Sequence, residues 1–355
     1  MNNLRSVVRV MPLASIKQKR WLPVSGRVVV NEGQTVTSTE TVAEAYLDPH
    51  YHLINVARTL GIPRAEADNY ILCEVGEVVH EGEVLAEKGG LLRKQVHAPV
   101  DGEVLLVGDG QILLQEYRPP WELKAGCPGK IAAVFPARGV AIGVVGAVVD
   151  GAWGNGKTAY GLLRVVTKLG DEPLTPGVLD VEHRGLVLVG GVLDDAQVLE
   201  IAESLPVQAL VVGTMKAELI PQALKTTFPI LVIDGFGDSG MNLRAFRLLS
   251  TSENRNAAVM ADVPDFYQAR RPTIILPLSV VDRPPEPPEV AVLAKGVLVR
   301  LVIGPYAGAL ARVTALPKGS VRLPNGVRAV AVEVRLENGE RVLVPVANLE
   351  ILVQS

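Results

Sequence analysis

Apolar and polar positions alternate in short runs through the first third of the chain. From residue 23 to 45 and from 66 to 107, apolar residues recur at every second position between glycine turns, which predicts short, half-buried β-strands. The spacing also repeats internally. Gly33, Val36, Glu40, Val42, Ala43 and Glu44 return as Gly76, Val79, Glu83, Leu85, Ala86 and Glu87, always 43 positions later. A second echo sets Pro23–Val28 against Pro99–Val104. Repeated strand–turn units of this kind predict a barrel made of two similar halves. Gly129–Phe135, the turn Pro136–Gly139 and Val140–Val149 then read as a β-hairpin.

The period changes in the middle of the chain. Gly185–Gly190, Ala209–Val212 and Ile230–Ile233 are continuous apolar runs of buried-strand type, with Thr273–Leu278 as a fourth. Between them, Asp195–Leu205 has helical spacing, with Ala196, Leu199 and Ala202 on one face and Asp194 as the cap. Ala217–Lys225 is a shorter helix with Pro221 near its start. Strands alternating with helices predict a mostly parallel α/β sheet. Asp282–Glu289 holds four prolines and predicts an extended, stiff spacer. Beyond it, Val330–Leu336, the Asn338-Gly339 turn and Val342–Glu350 return to β-spacing.

Composition narrows this picture. The 355 residues suffice for two or three domains, and 48% hydrophobic residues with a mean hydropathy of +0.27 exclude a disordered chain. Cys73 and Cys127 are far apart and have no metal spacing, as expected in a reducing compartment. No secretory leader is apparent, because Arg5, Arg9 and Pro12 break the first apolar pieces, and no run is long enough for a membrane helix. A cytoplasmic protein without membrane contact is the expectation. The net charge of −3 hides an asymmetry. Residues 1–22 carry five cations and no acid, and 291–355 carry eight cations against four acids, leaving −12 on residues 23–290. Basic ends on an acidic body point to a polyanionic partner such as RNA.

Two stretches resemble known families. Gly76–Glu87 followed by Val96–Val104 resembles a barrel-sandwich hybrid of the biotinyl/lipoyl type. In carrier domains of that family a hairpin-tip lysine takes the cofactor. That position is Leu91 here, with Lys88 and Lys94 to either side, so no lipoate or biotin is expected. Gly296–Gly308 with Ala309–Val313 and the closing strands resembles a KOW-type SH3-like barrel, although Ala311 stands where the motif usually has glycine. That family occurs in transcription elongation factors and ribosomal proteins. The resemblance implies contact with RNA, the ribosome, RNA polymerase or another protein partner through Arg300, Tyr306, Arg312, Lys318, Arg322 and Arg328, cations for phosphates and one ring for stacking.

The expected organisation is therefore multidomain α/β plus β. It comprises a basic segment (1–22), a barrel-sandwich hybrid (23–138), a central mostly parallel α/β domain with a glycine-rich loop (139–281), a proline-rich linker (282–290) and a C-terminal SH3-like barrel (291–355).

The most specific chemical motif is Gly151-Ala-Trp-Gly-Asn-Gly-Lys-Thr158, which spells the G-x-x-x-x-G-K-T of a P-loop. In that chemistry Gly151, Gly154 and Gly156 shape an amide nest, Lys157 reaches the phosphates of ATP or GTP, and Thr158 holds Mg²⁺. It requires a buried strand before the loop and a helix after it. Tyr160–Leu169 is the candidate helix, with Gly161 against it, and the preceding hairpin favours a structural loop. Asp234 has the strand-end position of a partner acid, and Arg244, Arg247, Arg270 and Arg271 are candidate charge stabilisers. In open α/β sheets ligands sit at the carboxyl ends of strands. Gly190-Gly191, Gly213-Thr214 and Asp234–Asp238, with Gly154–Thr158, mark the small-ligand pocket, anchored by Asp234 and Asp238. His50-x-His52 lacks a third ligand nearby, and no metal site is expected. Three function classes follow: a non-catalytic scaffold binding RNA or a ribonucleoprotein, a P-loop NTPase, or a small-ligand enzyme or sensor. No catalytic residue is assigned, and no cofactor is expected outside the nucleotide reading.

Overall fold

The computed structural model describes residues 4–47, 49–90, 93–264, 271–279, 284–288, 290–302, 304–306 and 308–353. The fold is mostly β, with mixed sheets and one parallel α/β section. After the first strand, β1 (Leu4–Trp21), come β2 (Arg27–Val28), β3 (Thr35–Val36) and β4 (Thr41–Ala45). An insertion follows, made of β5 (Tyr51–Asn55), helices α1 (Val56–Leu60) and α2 (Arg64–Ala67), β6 (Val78–Val79), β7 (Val84–Lys88), β8 (Lys94–His97), β9 (Gly102–Gly108) and β10 (Gln111–Glu116). The outer unit then resumes with β11 (Trp121–Lys124) and β12 (Gly129–Phe135).

The 43-residue echo is a repeat of geometry. In the outer unit the Thr37 amide donates to Glu40 Oε2 at 3.2 Å, and in the insertion the His80 amide donates to Glu83 Oε2 at 2.8 Å. Gly33 N donates to Ile131 O at 2.8 Å and Gly76 N to Val104 O at 2.7 Å, each glycine at positive φ. Period and turn chemistry therefore act locally, wherever the segment sits. The expectation of a single two-halved barrel over residues 23–138 is corrected. Val36, Val42 and Ala43 pack with Ile131 and Ile142, whereas Val79, Leu85 and Ala86 pack with Val104, Ile112 and Leu114 in a separate core. A pattern of alternation names the face that is buried, but not the partner against which it is buried.

The predicted hairpin forms between β12 and β13 (Gly139–Asp150), with Phe135 opposite Gly139. The expected boundary at 138/139 thus falls inside one continuous sheet. Next come β14 (Trp153–Gly154) and β15 (Thr158–Val165). A parallel section follows: β16 (Val187–Leu193), helix α3 (Ala196–Ser204), β17 (Ala209–Met215), helix α4 (Ile220–Ala223) and β18 (Ile230–Phe236). Strands β15 to β18 pair in parallel in chain order. Every residue of β16 and β17 is buried, because one core covers one face and α3 and α4 the other. This two-sided burial is why these strands read as unbroken apolar runs. The cap of α3 is Asp195, which accepts from Gln197 N at 2.9 Å, and not Asp194. Helix α5 (Leu243–Ser250) and β19 (Asn256–Met260) follow, and β20 (Thr273–Pro277) pairs antiparallel with β13 and β19 instead of extending the parallel set.

The C-terminal section contains β21 (Val290–Val292), β22 (Leu298–Leu301), β23 (Leu310–Ala315), β24 (Ser320–Arg322), β25 (Arg328–Leu336), β26 (Arg341–Pro345) and β27 (Leu349–Val353). Strands β27-β22-β23-β25-β26 pair antiparallel over a core of Val299, Leu301, Val313, Val334 and Ile351.

Within the basic segment, residues 4–21 form a paired strand. Strand β1 pairs antiparallel with β21, parallel with β27 and then antiparallel with β13 from Val10 to Trp21, so it joins the C-terminal section to the central sheet. Arg9 grips Asp150 with Nε and Nη2, both at 2.8 Å, at a carboxylate only 1% exposed. The described part of the linker lies along β1. Ser15 donates to Pro284 O, and Lys17 pairs with Glu286 at 2.9 Å. Asp282, Arg283 and Glu289 lie outside the described residues. Among the described residues no helix is long and apolar enough to cross a membrane.

Candidate functional site

The Gly151–Thr158 stretch is built as a strand connection. Thr158 opens β15, not a helix, and Tyr160–Val165 is strand, which corrects the candidate helix. Asn155 explains the loop. Its buried amide Nδ2 faces Ala223 O at 3.0 Å, Thr226 Oγ1 at 3.2 Å and Phe228 O at 3.0 Å, and its Oδ1 accepts from Ile230 N at 3.0 Å. Gly154 is required because a Cβ there would stand 2.3 Å from Ala261 O, and Gly156 because its φ is +84°. Gly151 is buried, and its amide donates to Pro272 O. Lys157 Nζ donates to Leu224 O at 3.0 Å. The letters of a phosphate loop therefore arise here from packing and hydrogen bonding within the fold. The helix that a P-loop aims at its phosphates is missing from this position.

Two of the strand-end residues, Gly213 and Asp234, are engaged within the fold. A Cβ on Gly213 would lie 2.1 Å from Met241 N, so the glycine admits a crossing backbone. Asp234 is 1% exposed and faces Arg300, whose Nη1 lies 2.6 Å from Asp234 Oδ1. Asn242 N and Nδ2 also donate to Asp234, while Asn242 Oδ1 caps α5 through Ala245 N. Arg300 Nη2 reaches Glu350 Oε2 at 2.6 Å, directly across the β22–β27 pair, and Arg271 Nη1 reaches Glu350 Oε1 at 2.7 Å. Burial works to raise the Glu350 carboxyl, but Arg300 and Arg271 outweigh it and hold it below the usual range. Burial works to lower the Arg300 guanidinium, and Asp234 and Glu350 outweigh that. Arg300, expected on a contact face, is instead the buried bolt between the C-terminal section and the parallel sheet. Asp238 remains exposed.

Gly156 and Thr158 do meet a cavity, though from its other side. A cleft of about 660 Å³ is lined by Lys19, Arg20 and Trp21 at the end of β1 and Leu22 and Pro23 just after it, by Trp121, Glu122, Leu123 and Lys124 of β11, by Arg138 at the hairpin turn, and by Gly156, Thr158 and Asp262. None of the strand-end residues lines it. Buried Arg20 donates through Nε to Lys124 O at 3.2 Å and through Nη1 to Thr158 Oγ1 at 3.3 Å. Trp21 stacks on Phe135 with ring centroids 4.7 Å apart, and the Arg138 guanidinium lies 5.7 Å from the Trp21 ring centre. The isolated sequence features, a basic first segment and scattered tryptophans, carried no sign of this convergence.

The remaining C-terminal candidates separate. Tyr306 is half-buried against the core, and its hydroxyl donates to Glu340 Oε1 at 2.7 Å, a bond that pushes the phenol pKa upward. Arg312, Lys318, Arg322 and Arg328 are exposed. Arg322 and Arg328 stand opposite each other on β24 and β25. Arg312 stands opposite Arg335, and Arg335 opposite Arg341, so three exposed arginines form one row across β23, β25 and β26. Arg335 and Arg341 were not among the sequence candidates, because only pairing register brings residues 312, 335 and 341 together.

His52 Nε2 lies 3.2 Å from Glu116 Oε2, and among the described residues no group of three potential metal ligands occurs. Leu91 lies outside the described residues. Lys88 sits 6.0 Å from the Tyr70 ring centre, and Lys94 reaches Leu60 O. Arg244 and Arg247 are exposed on α5, and Arg270 lies outside the described residues. No protein-family model matches the chain, and no curated protein matches its sequence.

Proposed function

We propose that this chain is a non-catalytic, multidomain binding protein that contacts single-stranded RNA, or a transcription or translation ribonucleoprotein, through its KOW-like, SH3-like C-terminal section. The observation that carries this reading is the Arg312–Arg335–Arg341 row. Like charges directly opposite one another weaken a sheet. Among the described residues a carboxylate meets this row only at one end, where Arg341 lies 3.5 Å from Glu333, and the Arg335 side chain makes no hydrogen bond or ion pair. A run of phosphates supplies the missing counter-charge. Arg322, Arg328 and Lys318 extend the same chemistry along the β24–β25 hairpin.

The test is fluorescence anisotropy of a short labelled RNA with the full chain across a salt series. The Arg312→Ser/Arg335→Ser/Arg341→Ser variant should bind more weakly, and its log–log salt slope should fall by about 2, three phosphate contacts at roughly 0.7 each. Equal affinity and slope for wild type and variant would remove the reading. Deleting residues 290–355 is the poorer experiment, since β1 loses two strand partners and Asp234 its counter-ion.

A further inference from the structure

We infer that the cleft between β1, β11 and the Gly156–Thr158 turn is a binding site for a phosphorylated nucleoside. Its volume of about 660 Å³ falls in the range of small-ligand sites, roughly 300–1,000 Å³. Its walls have the two chemistries such a ligand needs. Lys19, Arg20, Lys124 and Arg138 bring four positive charges, against Glu122 and Asp262. Glu122 is already engaged by Lys124. The Arg138 guanidinium is exposed and makes no hydrogen bond among the described residues, so its planar set of donors is available to a phosphate.

The rings supply the second half. Trp21 contacts both Phe135 and the Arg138 guanidinium, which lies at the cleft wall. Trp121, 41% exposed, presents an open indole to the same cleft. A large exposed aromatic beside a cationic cluster matches a base stacked on the ring with its phosphates on the arginine. Arg20 and Thr158 fasten the two walls together, so the site spans the outer β unit and the loop leading into the parallel sheet. Lys157, held on Leu224 O, is not among the lining residues. Binding here is therefore distinct from a P-loop. Four cations against two carboxylates leave the walls with a net charge of +2 toward a phosphate, and binding is expected without a metal ion.

The test is isothermal titration of the full chain with ADP in EDTA, with adenosine and inorganic pyrophosphate as the two half-ligands. ADP should bind with quenching of tryptophan fluorescence, and each half-ligand at least tenfold more weakly. Arg138→Ala and Trp121→Ala, both at exposed positions, should each weaken ADP at least tenfold. Lys157→Ala and the C-terminal triple arginine variant should leave ADP binding unchanged, which keeps this site separable from RNA contact. Absence of ADP binding at millimolar concentration overturns the inference. So does binding that survives Arg138→Ala and Trp121→Ala but is lost with Lys157→Ala.

Discussion

Replacing Asn155 by alanine distinguishes a structural loop from a phosphate loop. In a P-loop, position 155 is one of the variable residues and Lys157 is indispensable. In this fold the order is reversed. The Asn155→Ala change leaves the Ile230 amide, at the head of a fully buried run of β18, without its acceptor. It also removes a donor from Ala223 O or Phe228 O, since the Thr226 hydroxyl can serve only one of them. Two buried groups left unpaired at roughly 1–3 kcal/mol each give a loss of about 4 kcal/mol. Lys157→Ala removes a single bond at the protein surface, about 1 kcal/mol or less. Hydrogen exchange of the peptide spanning residues 224–234 reads the local opening, where about 4 kcal/mol corresponds to roughly three orders of magnitude in protection. Exchange that is unchanged in Asn155→Ala, or accelerated more by Lys157→Ala, would refute this account of the loop.

Three further outcomes follow from the buried charges and the thiol. Arg300→Ala should cost about 3–5 kcal/mol in urea unfolding, because Asp234 and Glu350 lose their shared counter-ion in a nearly solvent-free site. A loss below about 1 kcal/mol would show that the bolt is not closed. The same network sets an acid limit. Because the folded-state Glu350 carboxyl lies below its ordinary value of about 4.3, its contribution is complete above that pH and drains as pH falls through the lower folded value. Glu350→Gln should flatten that acid limb of the stability curve, and an unchanged limb would exclude Glu350 as its source. Burial pushes the Cys127 thiol up to about 12, so at pH 8 it should resist thiol reagents until the protein unfolds. Rapid labelling of the native chain at Cys127 would contradict its burial.

Much of the local structure was legible. The alternation at residues 23–45 and 66–107, the 43-residue echo, the β12–β13 hairpin and the three parallel strands all follow from period and turn residues, which act within a few positions. Helix α5 was not predicted, although Asn242 as cap and Ala245, Phe246 and Leu249 on one face give it a signal. The candidate sites fared differently. In sequence Asp234 reads as a ligand anchor and Arg300 as an RNA contact, yet in the fold they bind each other. Ion pairing across 66 positions has no period in sequence, so each group looked available.

By itself, the sequence determined many of the strands, their turns and their apolar faces, because propensity, glycine geometry and alternation are short-range; it did not mark Leu4–Trp21 as a strand and read Tyr160–Val165 as helix. Only tertiary structure decided what those faces and charges meet. It separated the two echoed halves into different cores and made a basic first segment the strand that joins the sections. It turned G-x-x-x-x-G-K-T into a hydrogen-bonded strand connection. It also aligned Arg312, Arg335 and Arg341, and gathered Trp21, Trp121 and Arg138 around one cleft. The physical reason is that burial and Coulomb energy depend on distance in space, and distances between remote segments are fixed only when strands choose partners and register.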